Sequence, residues 1–429
     1  MRFGRAVIFL ILFLGFQCIQ ASGQQVVATW TDATGNWSNP ANWSILTVPN
    51  NGGTKTYSVV ITADRSNVTM DVPSVTIDSI LLLELNPGFF NSLTINSGNV
   101  LSLVSGILTN GRISNDGIIF NNSGSDLEIA NTQIMDGVLG NSGFIINAGR
   151  IAGDAGTFIG NAGTFLNSSG GVVDLSFSFT NNAGGTVNNY GQFIGGGFVY
   201  NAGTFNNYGT LTIPVVGELS NQGMFTNSGA VTISSSGLFT TSTDYTQTAG
   251  STIVDGKLTG TGSAIVNIQG GTLGGTGTIN GNVLMAGTMM PGDAPGTLTI
   301  FGNYEQKDTG IFQELMSPFA QAFLDVSGNV VLDPGATLDI TLLGGFNPLG
   351  DTISIMDFST LSGRFANGSS FWDDNFLWDI TYRQHEIDVT AVKEPEPSSL
   401  LLLGIGSLVI GAIAKRKKSG TIRDRGQLT

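Results

Sequence analysis

Cysteine, histidine and charge are all scarce in this chain of 429 residues. The single cysteine, Cys18, lies in the N-terminal apolar segment, so a mature body lacking that segment has no disulfide and no thiol chemistry. Lipidation of Cys18 fits poorly, because Gln17 stands where lipoprotein signals place a small residue. One histidine, His385, leaves too few ligands for a zinc site of the usual kind. It would also have to serve any serine triad, and no Gly-x-Ser-x-Gly elbow accompanies it. His385 therefore reads as a surface or packing residue. Charged residues are 11% of the chain, against about a quarter in ordinary domains.

What replaces charge is glycine, 61 residues, with abundant Asn, Thr and Ser between regularly spaced Val, Ile, Leu and Phe. That mixture points to many short strands joined by tight turns. Basic residues concentrate at the two ends. Residues 24–414 hold nine basic and 30 acidic side chains, a net charge of −21. A body so acidic repels phosphate backbones, which argues against a nucleic-acid partner and favours solubility outside the cell.

The ends have their own grammar. Residues 1–23 read as a signal peptide: Arg2 and Arg5, an apolar core over Ala6–Phe16, and the small residues Ala21-Ser22-Gly23 for cleavage. The other end begins with Glu394-Pro395-Glu396-Pro397, whose prolines hold the chain extended. Ser398–Ala414 follows without a charge, at the short limit for one transmembrane helix. Lys415, Arg416, Lys417 and Lys418 then form a membrane-stop cluster, with residues 419–429 as a cytoplasmic trailer. A plain C-terminal anchor would explain the span and the basic cluster, but not the Pro-Glu-Pro-Ser before them.

This tripartite tail resembles a PEP-CTERM sorting signal. The resemblance implies that Pro395, Glu396, Pro397 and Ser398 are the sorting and processing motif. It implies an exosortase, a membrane transpeptidase-like enzyme, as the processing partner that removes the tail. It also implies an exported bacterial protein of the cell envelope, surface or extracellular matrix, with exopolysaccharide as a partner.

Between the ends runs a beat of twenty residues. Asparagine falls at 121, 141, 161, 181, 201 and 221, and a second series runs through Asn147, Asn167, Asn188, Asn207 and Asn227. Short pieces such as Gly163-Thr164-Phe165-Leu166 lie between Asn-x-Gly triplets. Asn and Gly both tolerate left-handed backbone angles, so these triplets are expected to be corners. The residue two after each glycine, Ile145, Phe165, Phe205 or Phe225, is expected to point inward. The fold class is then all-β: a right-handed parallel β-helix, or solenoid, with coils of about twenty residues and capped ends. Stacked coils would align the asparagines in ladders. An antiparallel sandwich is the competing architecture, but it needs no fixed period.

The repeats are assigned to residues 106–300, after an N-terminal cap and first strands at 24–105. A C-terminal β region and cap occupies 301–393, and the sorting signal 394–418. The runs Gly270-Gly271-Thr272-Leu273 and Gly296-Thr297-Leu298-Thr299 resemble the closing segment of autotransporter-like passenger solenoids. Trp30, Trp37 and Trp43 lie near the start of the body, and Trp372 and Trp378 near its end. Capping is one reading of these tryptophans and sugar stacking the other.

No catalytic constellation, metal set or cofactor motif is evident. Asp126, Glu128, Asp136, Asp154, Asp174 and Glu218 do not recur at the repeat period, and Arg112 and Arg150 are the basic residues near them. A lyase or glycosidase would need convergent carboxylates with a base. Asp373-Asp374 with Asp379 is the densest acidic cluster, read as a solvated turn rather than a calcium site. The reading from sequence is a non-enzymatic structural or adhesive surface protein without a cofactor. The alternative is a carbohydrate-active enzyme or carbohydrate-binding protein on the same scaffold.

Overall fold

A computed structural model describes residues 24–392 apart from 64, 84–90, 110, 130–137, 154–155, 293–295, 319 and 374–375. The signal segment, the Pro395–Ser398 motif, the apolar span and the Lys415–Lys418 cluster lie outside the described residues. Among the described residues are 45 strands and one 3-10 turn at Pro40–Asn42. No helix among them is long and apolar enough to cross a membrane.

Most strands of the repeat are four residues long with alternate residues buried, as a period of two on one packed face requires. Three such strands make one coil. The first face stacks Phe158–Asn161, Ser178–Asn181, Phe198–Asn201 and Glu218–Asn221 in parallel. The second stacks Thr164–Asn167, Thr186–Asn189, Thr204–Asn207 and Met224–Asn227. The third stacks Val172–Leu175, Gln192–Gly195, Thr210–Ile213 and Ala230–Ile233. The body is therefore a β-solenoid, and the sandwich is excluded. Parallel pairing begins at Gln24–Thr29 with Lys55–Ile61 and continues to Asn329–Leu332 with Thr360–Gly363.

Inside, Ile145, Phe165, Phe205 and Phe225 are all buried, as expected. The rings of Phe165, Phe179, Phe193, Phe205, Phe225, Phe239 and Tyr245 form a continuous aromatic column. Neighbouring centroids are 4.9–5.6 Å apart, mostly edge to face. Such pairs contribute about 0.5–1.5 kcal/mol each beyond their buried area.

Two asparagine ladders run through this core. The first joins Asn115, Asn141, Asn161, Asn181, Asn201 and Asn221 to Thr241, with each Nδ2 donating to the next oxygen at 2.6–2.9 Å. The second joins Asn121, Asn147, Asn167, Asn189, Asn207 and Asn227 to Gln247 at 2.7–3.1 Å. Asn121 thus belongs to the second series rather than the first, and Asn189 takes the place expected for Asn188. The cause is unequal spacing. The step from the coil holding Asn115 and Asn121 to the next is 26 residues, and Asn189 stands 22 after Asn167 and 18 before Asn207. Asn188 points outward and bonds Asn206.

The corners also differ from expectation. At Gly143, Gly163, Gly203 and Gly223 the backbone is not left-handed. A Cβ at Gly163 would stand 2.1 Å from the Gly143 carbonyl oxygen, and one at Gly223 would stand 2.0 Å from that of Gly203. Glycine is needed there for the close approach of one coil to the next, not for its φ range. The asparagine in the triplet serves the ladder, and its carbonyl accepts from the corner above, as Asn141 does from Ala162 at 2.7 Å.

Both ends are closed. Trp30, Trp37 and Trp43 are buried and packed edge to face, with centroids 4.9 and 4.7 Å from the shared Trp43. Trp43 Nε1 donates to the Trp37 carbonyl at 2.9 Å. At the other end the pairing turns antiparallel: Thr352–Asp357 and Phe376–Tyr382 flank Glu386–Val392, and Ser370–Asp373 pairs with Phe376–Tyr382. Trp378 is buried beneath this cap.

A buried amide is tolerated only when both its ends are bonded. Asn181 Nδ2 donates to Asn201 and to the Thr204 carbonyl, and its Oδ1 accepts from Asn161. Asn181→Ala leaves these partners short of bonds in the interior. It is expected to lower stability by about 2–3 kcal/mol in chemical denaturation, and more than the same change at the ladder end, Asn115.

Candidate functional site

The outer surface of the regular coils is built from the residues that alternate with the core. Thr164, Thr186 and Thr204 stack along the second face. Four aromatic residues that face outward form two pairs. Tyr190 and Tyr208 each occupy the middle of an Asn-x-Gly corner one coil apart. Their rings stack at 4.6 Å and 13°, and both are nearly half exposed. Phe198 and Tyr200 lie on the first face at 6.4 Å and 17°, and the Tyr200 hydroxyl donates to Gln222 at 2.8 Å. Sequence reading missed both pairs. The signal was available: tyrosine recurs at the x position of successive triplets.

Among the described residues of the coils, acids do not converge on a catalytic pair. Arg150 stands between Asp126 and Asp174, at 3.6 and 3.0 Å, in a half-exposed chain of ion pairs across adjacent coils. Burial acts to lower its pKa, but the hydrogen bond to Asp174 and the charges of both acids together outweigh it and raise the value. Surface pairs of this kind contribute about 0–1 kcal/mol.

A second acidic group appears where solenoid meets cap. Asp325 pairs in register with Asp357, and Asp357 with Glu386, so three strands bring three carboxylates into one row. They line an open cleft of about 350 Å³ with Ser327, Ser359 and His385. Burial first, then Glu386, Asp325 and Asp388, push the Asp357 carboxyl above its ordinary range. Arg383 holds the far side, pairing with Glu386 at 3.1 Å and with buried Asp388 at 2.7 Å. Among the described residues no set of three His, Cys, Asp or Glu side chains is arranged to hold a metal ion. His385 Nδ1 is 2.9 Å from the Ser359 carbonyl, which places the ring as a loop tether on the cleft wall.

The acidic cluster expected in the cap is not one site. Asp373 Oδ2 accepts from the Ile340 N–H at 2.8 Å, whereas Asp379 accepts from Ser370 at 2.6 Å. Register puts Asp373 and Asp379 on opposite faces of the cap sheet, and Asp374 lies outside the described residues. The tryptophans likewise divide. Burial of Trp30, Trp37, Trp43 and Trp378 removes them as sugar platforms, leaving Trp372 exposed at 54%.

Comparison with known proteins adds one finding about the tail. Residues 395–418 match the PEP-CTERM protein-sorting motif. The chain therefore carries this signal, which implies export towards the cell surface and processing by an exosortase. No curated protein matches the chain.

One buried acid stands apart from these groups. Glu314, on Ile311–Ser317, points into the last coils between Phe312 and Met316, and both carboxyl oxygens lie buried without a hydrogen-bond partner. Burial pushes its pKa well above the ordinary value. A raised carboxyl pKa stabilises the fold fully below the ordinary carboxylate range, and that stability is lost as pH rises through the raised value. The denaturation midpoint of the native chain should fall as pH increases above that range. Glu314→Gln should flatten the fall, by up to about 1.4 kcal/mol per pH unit. Denaturation series over pH on both proteins measure the difference in slope.

Proposed function

We propose that the chain is a non-enzymatic structural or adhesive protein of the bacterial surface or extracellular matrix. Its exported body meets exopolysaccharide through the outer surface of its coils. The observation that carries this reading is the pair Tyr190 and Tyr208, stacked and exposed on a regular acidic rod whose tail bears a sorting motif. Aromatic faces and stacked hydroxyl rows suit neutral sugar polymers, whereas the net charge disfavours anionic ones. Residues 1–23 are the signal peptide in this reading. Ser398–Ala414 is a transmembrane helix stopped by Lys415–Lys418, and exosortase acts at Pro395–Ser398. The coils take the right-handed sense that parallel crossovers prefer.

The enzymatic alternative draws on the Asp325–Asp357–Glu386 row, where one carboxyl keeps its proton above the ordinary range beside two others. Glycosidases exploit that contrast. Against it, Glu386 is already engaged by Arg383.

Two measurements test the proposal. Intact mass of the surface-extracted protein should show loss of the apolar tail, and changing Pro395, Glu396 and Pro397 together to Ala should retain it. An intact tail in the native protein would make the segment a plain anchor. On a glycan array, the processed protein should bind neutral polysaccharides, with Tyr190→Ala/Tyr208→Ala weakening binding about tenfold, or about 1.4 kcal/mol. Hydrolysis of any glycan, abolished by Asp357→Asn, would instead support the enzyme.

A further inference from the structure

The chain leaves its folded body at Val392, the end of the central strand of the cap. Register places Trp372 opposite Leu377, and Leu377 opposite Val392, so these three share one face of the cap sheet at that exit. The inner face at the same end is buried through Trp378 and Ala391. Leu349, 45% exposed, bridges Ala391 and therefore lies on that other face, apart from the row. Trp372 is the one exposed tryptophan of five. The apolar row therefore ends where the apolar tail begins. Five residues separate Val392 from Ser398, a reach of at most about 20 Å even when fully extended.

We propose that this face of the cap, Trp372 with Leu377 and Val392, is a lipid-facing surface that seats the body against the bilayer before the tail is removed. The inference rests on the membrane reading of Ser398–Ala414. Indole rings favour the boundary between headgroup and acyl chain, where an apolar body and a polar N–H are both accommodated. The short connection keeps the row near that boundary and supplies the high local concentration that a small patch needs. The preferred lipid is zwitterionic, because Asp379 shares the face of the row, two residues from Leu377, and anionic headgroups would repel it.

The test uses the full chain in phosphatidylcholine vesicles with brominated acyl chains, which quench indole emission on contact. Trp30, Trp37, Trp43 and Trp378 are buried in protein, and the tail has no tryptophan. Quenching should therefore report on Trp372 and disappear in Trp372→Phe. Leu377→Ser should weaken it, and vesicles rich in anionic lipid should reduce it. Aqueous acrylamide quenching Trp372 while brominated lipid does not would overturn the proposal, with vesicle flotation showing the tail still inserted. Shielding from both quenchers would also overturn it, in favour of a contact with a second copy of the chain. Failure of the chain to float with vesicles would overturn the membrane reading itself, and this inference with it.

Discussion

The stacking distance between coils is the constraint from which the rest of the structure follows. Parallel strands pair at about 4.8 Å, and at the corners the carbonyl of one coil takes the place a side chain would need on the next. Gly143, Gly163, Gly203 and Gly223 are there because a Cβ would meet a backbone oxygen. Once the corners close at that pitch, equivalent side chains fall one above another, and any buried polar group finds its own copy as its nearest partner. Asparagine suits such a column because one amide offers both an acceptor and two donors. The ladder Nδ2 groups donate in one direction along the axis, so each interior amide is satisfied by a neighbour of its own type.

Ends are the cost of this scheme. Asn115 begins one ladder, and its Oδ1 is left buried without a partner, whereas Asn121 begins the other and accepts from Ser125 at 2.5 Å. At the far end Thr241 and Gln247 close the two columns. The core needs closing as well, which the three packed tryptophans do at one end. At the other the chain abandons parallel stacking for antiparallel strands, which present different edges and stop the series. The same change of pairing assembles the Asp325–Asp357–Glu386 row and frees a face of the sheet at the chain's exit.

How much of this could be read in the sequence depended on whether the information was periodic. The solenoid, the inward Phe165 and Phe225, and the ladders were legible because they repeat at a near-constant step. A constant step misleads where the spacing changes: it puts Asn121 in the wrong column and Asn188 in the place of Asn189. The glycine corners were located correctly but for the wrong reason, since sequence does not reveal what lies across the gap. The acidic row was illegible: Asp325, Asp357 and Glu386 are about thirty residues apart, and only coil register makes them neighbours. Local density pointed instead to Asp373 and Asp379, which alternation sends to opposite faces.

The interior ladder residues have equivalent surroundings, and this bears on inheritance. A duplication or deletion that copies or removes one whole coil leaves every surviving amide with an amide above and below. The rod would grow or shrink by one strand spacing, about 4.8 Å, with its two closures untouched. Because the coils agree at their ladder, corner and inward positions, a lineage could adjust the length of the solenoid without redesigning the contacts between coils.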